Sequence, residues 1–316
     1  MTPSVSVILC THNPRADYLA AVIHSLRIQT LPLGEWELLV VDNASETAVG
    51  VDLSWHANAR VLREETLGLV HARRMGVHEA RGELLVFVDD DNVLGVDYLR
   101  KAVAIARQHP EIGAFGGQIA PRFEIDPPAW TQPYWPWLAI RLFTCDRWSN
   151  QSDDHAAMPC GAGMCVRRVV VQRWVERLAS DPNRTALGRT GTRLLSGEDS
   201  DLAWTACDMG LGVGVFTALK MTHLIPARRL QESYILELVE GTAYSNVRLM
   251  ATRGPLPTEQ LPRQWLALAK AMLRGRRNFR FALASYRGRC AARRDIAAIE
   301  KRAEVCKSAA VPAAEA

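Results

Sequence analysis

Five consecutive apolar residues, Leu84-Leu85-Val86-Phe87-Val88, run directly into Asp89-Asp90-Asp91-Asn92. An unbroken apolar run of this kind, with β-branched and aromatic members, reads as a strand buried on both faces. Such strands belong to sheets covered by helices. The three carboxylates at its end repel one another unless a cation shares them. Hard oxygen donors favour Mg²⁺ or Mn²⁺, typically held by one or two carboxylates plus substrate phosphates. A solvated acidic turn accounts for the same letters equally well, so the surrounding chain has to discriminate.

Residues 5–10 read as a first strand closed by Thr11-His12-Asn13-Pro14, and Leu19, Val22, Ile23 and Leu26 then recur at helical spacing. A second strand over 37–41 ends in Asp42-Asn43, and a short third over 60–62 leads to a helix from Gly68 to about Arg81. Strand alternating with helix predicts an α/β fold with a parallel sheet. Ligands of such sheets lie beyond the carboxyl ends of the strands. Thr11, Asn13, Asp42 and Asp89-Asp91 all fall at such ends, so one crevice collects three polar clusters.

Further along, a helix is expected over 96–108 and a strand over 112–119. Residues 127–148 hold four tryptophans and four prolines, which excludes a regular helix throughout. This segment is either a satellite hydrophobic cluster or an aromatic lip for a sugar or a lipid surface. A glycine turn at 161–163 enters an apolar segment, followed by a helix over 168–179 and a polar loop over 181–196 expected to be mobile. Glu198-Asp199 opens another helix, where acidic residues also suit the helix dipole. A last strand over 212–219 ends near His223.

The 316-residue length suffices for one large domain or two. No apolar run reaches the length of a membrane span, and Met1-Thr2-Pro3-Ser4 lacks the basic start of a signal peptide, so the expected place is cytoplasmic. Seven scattered cysteines form no CxxC pair, which excludes the common zinc and disulfide frameworks. Charge is uneven: residues 253–307 carry 14 Lys/Arg against 4 Asp/Glu, while the remainder is net acidic. With the apolar positions Trp265, Leu266, Leu268, Ala269, Met272 and Leu273 ahead of Arg274-Gly275-Arg276-Arg277, this basic helical extension suits either packing on the body or peripheral contact with the cytoplasmic membrane face. The alanine-rich end is expected to be disordered.

Taken in order, these segments resemble family 2 glycosyltransferases over residues 4 to about 226. The carrying motifs are residues 4–13, Val40-Val41-Asp42-Asn43-Ala44-Ser45, residues 68–83 leading to Asp89-Asp90-Asp91, Gly161-Ala162-Gly163-Met164, and Gly197-Glu198-Asp199. Departures are Arg74 in place of a usual Asn, Gly163 in place of a common Asn, and His12 in place of an aromatic residue. The resemblance implies a GT-A fold, meaning a Rossmann-like, mostly parallel sheet flanked by helices, here with a helical C-terminal extension. Its domain would span 1–226, with a nucleotide-binding half to about 118 and an acceptor half from 119. The extension would cover 227–307 and the tail 308–316.

The resemblance further implies a nucleotide-sugar donor (UDP-, dTDP- or GDP-sugar), Mg²⁺ or Mn²⁺, and inversion at the anomeric carbon. A glycan or lipid-linked hydroxyl would be the acceptor, in cell-surface polysaccharide or glycoconjugate synthesis; no nucleic-acid partner is expected. Carried over by position, Asp42 would bind the donor base, Thr11 and Asn13 would line the nucleotide pocket, and Arg73 would sit near the diphosphate. Asp89 and Asp91 would hold the metal, and Asp90 would face the ribose or the metal's surroundings. His223 would add a third metal or diphosphate ligand, and Arg228 with Arg229 would close over the diphosphate. Inverting transfer needs a carboxylate to accept the acceptor's proton, with Asp199 as that base and Glu198 orienting it or replacing it. A nucleotidyltransferase is the competing enzyme, although Thr11-His12-Asn13-Pro14 lacks the glycine/basic loop that grips a triphosphate. An inactive nucleotide-sugar-binding protein is the competing non-enzyme, disfavoured by the intact acidic pairs.

Overall fold

The structure is a computed structural model, described over residues 3–191, 194–256 and 261–309, apart from the side chains of 182, 261–264, 300 and 302–309. In chain order its elements are β1 (Val5–Thr11), α1 (Ala16–Arg27), β2 (Trp36–Asn43), β3 (Ala59–Glu64), α2 (Leu69–Glu79), β4 (Leu84–Asp89), β5 (Asn92–Leu94), α3 (Tyr98–Gln108) and β6 (Ile112–Phe123). There follow β7 (Arg147–Ser149), β8 (Cys165–Arg167), α4 (Arg168–Ser180), α5 (Pro182–Thr185), α6 (Glu198–Asp208), β9 (Gly212–Ile225), α7 (Glu232–Ala251), α8 (Leu261–Leu273) and α9 (Arg276–Ala309). Contacts divide the chain into two compact units, Met1–Thr192 with Glu198–Gln231, and Arg193–Gly197 with Glu232–Ala316.

The first unit is a mixed α/β layer structure around one sheet, ordered β3-β2-β1-β4-β8-β6-β9-β5 with β7 on β9. β1 pairs in parallel with both β2 and β4, β2 with β3, and β6 with β9. β8 lies antiparallel to both β4 and β6, so those two strands point the same way. The sheet is therefore mostly unidirectional, with β5, β7 and β8 reversed. Every residue of β1 and β2 is buried, as their mainly apolar sequences require.

Polar atoms inside this apolar sheet fix where β4 begins. Ser6 donates to Glu37 Oε1 at 2.7 Å, and the amides of Arg81 and Gly82 donate to Glu37 Oε1 and Ser6 Oγ at 2.6 and 2.8 Å. Arg60 balances the Glu37 charge at 2.9 Å. Each buried polar group thus has a partner, and the turn entering β4 is pinned at the end opposite its carboxylates.

Just after Asp91, β5 pairs antiparallel with β9 and sets Asn92 opposite His223. The 181–196 segment, expected to be mobile, is anchored over its described part. Arg184 pairs with the buried Asp201, Leu187 is buried, and the Arg189 carbonyl accepts the Leu69 amide at 2.9 Å.

The second unit holds α7, α8 and α9. Arg277 and Arg280 close on Glu232, and the Tyr244 hydroxyl donates to Asp295 at 2.7 Å, tying α7 to α9. α9 continues to Ala309, into the start of the expected tail; residues 310–316 lie outside the described residues.

Candidate active site

Strand register sets the site. Thr11 stands opposite Asp42 across β1 and β2, and Cys10 stands opposite Asp89 across β1 and β4. All three strands therefore deliver their polar ends to one edge.

Beyond β2, Asp42 is buried and accepts the amides of Ser45 (3.1 Å) and Val49 (3.2 Å) and the Arg63 guanidinium (2.8 Å). Burial raises its pKa, but these hydrogen bonds outweigh it and hold the carboxyl below its ordinary value. With about four acceptor positions on a carboxylate, roughly one remains for a ligand. Asn13, in a left-handed conformation at φ 48°, joins the first two loops: its amide donates to Ser45 Oγ and its Oδ1 accepts the Glu46 amide, both at 2.9 Å. A cavity of about 840 Å³ between α1 and residues 46–55 includes Asn13 in its wall but neither Asp42 nor Asp89, Asp90 or Asp91.

At the end of β4 the three aspartates separate into different environments. Asp91 is 7% exposed, with Oδ2 placed 2.9 Å from Arg229 Nη2 and 3.3 Å from His223 Nε2. Burial opposes its ionisation, yet His223 and Arg229 hold its carboxyl well below the usual range. Asp90 accepts the Thr11 hydroxyl at 2.5 Å. Burial and the neighbouring Asp91 charge nevertheless push Asp90 up to about 7. Asp89 is also raised by burial, against the pull of Arg73 3.8 Å away.

His223 arrives from β9, beside Asp91 because β5 pairs there. Its Nδ1 donates to the Leu138 carbonyl at 2.9 Å, since a carbonyl can only accept. Nε2 faces Asp91 and lies 2.9 Å from Arg229 Nη1. The tryptophan segment ends at this carbonyl: residues 129–138 form a 3-10 helix, with Trp135 against Phe123 and Trp137 exposed. Arg228 is exposed and is not brought to the acidic cluster; Arg229, its neighbour, fills that place.

The second acidic cluster comes from α6. Asp201, fully buried, accepts the Trp174 indole at 3.1 Å and pairs with Arg184, which docks the helix. Its first residue, Glu198, then meets Arg73 of α2, with Oε1 3.3 Å from Nη1. Arg73 is 2% exposed and lies between Glu198 and Asp89. Burial, then Asp199, push Glu198 up to about 7, and Arg73 opposes them. Asp199 is half-buried, with Oδ2 accepting the Gly161 amide at 2.9 Å and Oδ1 the Ser200 amide at 2.8 Å. A Cβ on Gly161 would stand 3.0 Å from both Arg73 Nη2 and Asp199 Cβ, so the turn needs glycine for its close approach.

Eight of the expected residues thus adjoin the β1, β2 and β4 ends or the Arg73 link: Thr11, Asp42, Arg73, Asp89, Asp90, Asp91, Glu198 and Asp199. His223 joins through Asp91. Sequence reading did not single out Asn43, whose side chain bonds the Glu64 and Thr66 carbonyls and the Gly68 amide and so positions α2. Nor did it find Arg189, whose charge acts on Asp89, Asp91 and Glu198. The Asp42-Asn43 pair carried a usable signal; Arg189 carried none.

Among the described residues, no three His, Cys, Asp or Glu side chains are arranged to hold a metal ion unaided. The Asp91–His223 pair does suit two adjacent positions of an octahedral shell, since bonds near 2.1 Å separate neighbouring ligands by about 3 Å. Phosphate oxygens and water would supply the rest.

The chain is similar to several known proteins. An N-acetylglucosaminyltransferase of Rhizobium meliloti (strain 1021) is 28% identical over 206 residues, 63% of this chain and 44% of that protein. A Haemophilus influenzae protein named as an uncharacterized glycosyltransferase is 30% identical over 109 residues, 34% of this chain and 36% of its own. The chain therefore spans under half the length of these relatives. The crystal structure of Staphylococcus aureus TarS 1–349 in complex with UDP superposes with a TM-score of 0.49 at 17% identity, over 78% of this chain and 69% of that one. Residues 6–173, more than half of the chain, match the model of glycosyl transferase family 2, and the chain belongs to that family.

Proposed function

We propose that the protein is an inverting, metal-dependent glycosyltransferase that moves a sugar from a nucleoside diphosphate sugar to a hydroxyl of a glycan or lipid-linked acceptor. The observation that carries this reading is the buried Arg73 between Asp89 and Glu198, because it couples the two acidic clusters that such a transfer needs. The fold follows the GT-A plan, and the role belongs to cell-surface polysaccharide or glycoconjugate synthesis.

The donor base binds beyond β1 and β2, against Thr11, Asn13 and the remaining acceptor position of Asp42. Asp91 and His223 hold Mg²⁺ or Mn²⁺ with the diphosphate, and Asp89 stands beside them. The metal, when bound, neutralises charge developing on the leaving diphosphate. Arg229, already within 3 Å of Asp91, turns its guanidinium to the diphosphate oxygens; Arg228 is a solvent-side reserve.

In the transfer, the acceptor oxygen bonds to the anomeric carbon while the bond to the diphosphate oxygen breaks and its electron pair leaves with the diphosphate. Asp199 takes the acceptor's proton. Its amide donors fix its orientation and its half-exposed position gives it access. Glu198, buried on Arg73, holds that arginine toward Asp89 instead. Peripheral membrane contact through the basic C-terminal helices would bring the enzyme to a lipid-linked acceptor.

The test incubates the protein with a panel of UDP-, dTDP- and GDP-sugars and Mn²⁺ and reads nucleoside diphosphate release. Release from one donor class, lost in Asp91→Ala, is expected. Binding of a nucleotide sugar without any release would identify an inactive binding protein instead.

A further inference from the structure

The second unit carries a face that the proposed transfer does not use. Trp265, Leu266, Met272 and Leu273 of α8 are 63%, 60%, 67% and 89% exposed. At about 100° per residue, these four and Ala269 fall within an arc of roughly 120°. Leu268 lies outside that arc and is buried, and α8 lies against α9. The helix therefore has a packing face and an adjoining apolar face in water, which meet at Trp265, whose ring lies 6.4 Å from that of Tyr286 in α9.

Cations border that apolar face. Lys270 and Arg274 follow it around the helix and Arg276 stands just past the turn at Gly275, all exposed, whereas the next residue, Arg277, is engaged by Glu232. Between residues 261 and 280 the chain has six Lys/Arg and no Asp or Glu. An apolar stripe with a purely cationic border is the pattern of a helix lying in a membrane interface.

We propose that this face of α8 docks on the surface of an anionic lipid bilayer, with Trp265, Leu266, Met272 and Leu273 in the headgroup boundary and Lys270, Arg274 and Arg276 on lipid phosphates. This names the surface and the lipid charge for the membrane contact put forward above, and rests on that reading. A second copy of the chain is a poorer occupant, because it would set two cationic borders together with no acid between them. Lipid headgroups supply the missing negative charge. The contact lies on the bilayer, since no described helix is long and apolar enough to cross one.

The test sediments the full chain with phosphatidylcholine vesicles, with and without about 30% phosphatidylglycerol, in the absence of donor and acceptor. Binding to the anionic vesicles is expected, with at least a tenfold drop on neutral ones and a steep fall in high salt. Arg274→Glu with Arg276→Glu should lower partition by more than tenfold, at about fivefold per lost arginine. Leu273→Glu should lower it comparably, and circular dichroism should show helix content unchanged. Equal binding of parent and Leu273→Glu would overturn the proposal. So would a parent that ignores vesicles and forms a dimer split by Leu273→Glu, which would make the face an interface between copies. Diphosphate release measured without lipid scores the transfer reaction separately, so either reading can fail alone.

Discussion

Arg73 and Glu198 lie 125 residues apart in sequence and meet inside the protein at 3.3 Å, with Asp89 on the far side of the same guanidinium. A buried cation shared by two carboxylates is strongly unfavourable to break, because each partner is left charged and desolvated. The same contact joins the strand that ends in aspartates to the helix that opens with Glu198 and Asp199.

Arg73→Ala is therefore expected to destabilise the fold by about 3–5 kcal/mol, read by urea denaturation, and to abolish diphosphate release. Arg73→Lys keeps the charge but not the two-pronged geometry, and should recover more stability than activity. An Arg73→Ala protein as stable as the parent would show that the link carries no energy.

Glu198 makes stability depend on pH. Burial pushes its folded pKa up to about 7, above the ordinary 4.5 of a glutamate, so the folded state holds a proton that the unfolded chain has released across that interval. Its contribution is complete below about 4.5 and is lost as pH rises through 7. Glu198→Gln should flatten that part of the stability-versus-pH curve, measured by thermal melts from pH 4.5 to 8. An unchanged slope would mean that Glu198 is ionised throughout.

Asp199→Ala should slow transfer by about 10²–10⁴-fold while donor binding persists. Isothermal titration with the donor, alongside product formation, separates the two effects. Full transfer by this variant would remove Asp199 as the base and leave Glu198 to be tested.

His223→Ala should weaken Mn²⁺ binding by about 10–100-fold, as loss of a group at or beside a metal typically does. Paramagnetic titration of Mn²⁺ with nucleoside diphosphate present reads this without turnover. Chelation by EDTA should stop release in the parent and Mn²⁺ should restore it; release that continues in EDTA would dismiss the metal.

Gly161→Ala places a methyl 3.0 Å from both Arg73 Nη2 and Asp199 Cβ. Crowding of that kind costs about 1–3 kcal/mol. Activity should fall more than stability, because the displaced groups are Arg73 and the Gly161 amide's acceptor, Asp199. A fully active alanine variant would show that the turn yields without moving them.

Much of this protein was legible in its letters. Mainly apolar runs at β1, β2 and β4 predicted buried strands, since a sheet covered on both faces admits a polar residue only where it finds a partner, as Ser6 and Glu37 do in each other. Their polar ends then located Thr11, Asp42 and Asp89-Asp91 at one edge, because parallel strands bring their carboxyl ends together. The order of motifs carried the family resemblance, and the uneven charge marked the C-terminal extension.

What only the tertiary structure decided are contacts between residues with no periodic relation. Three adjacent aspartates look alike in sequence, yet packing gives Asp91 an imidazole and a guanidinium, Asp90 a hydroxyl, and Asp89 the shared Arg73. The choice of Arg229 over Arg228 depends on which way one 3-10 turn points its side chains. The proton on His223 depends on a backbone carbonyl at Leu138, 85 positions away, which no side-chain pattern records. The acidic run that ends β4 fixed where chemistry gathers; burial and long-range partners fixed what each carboxylate can do there.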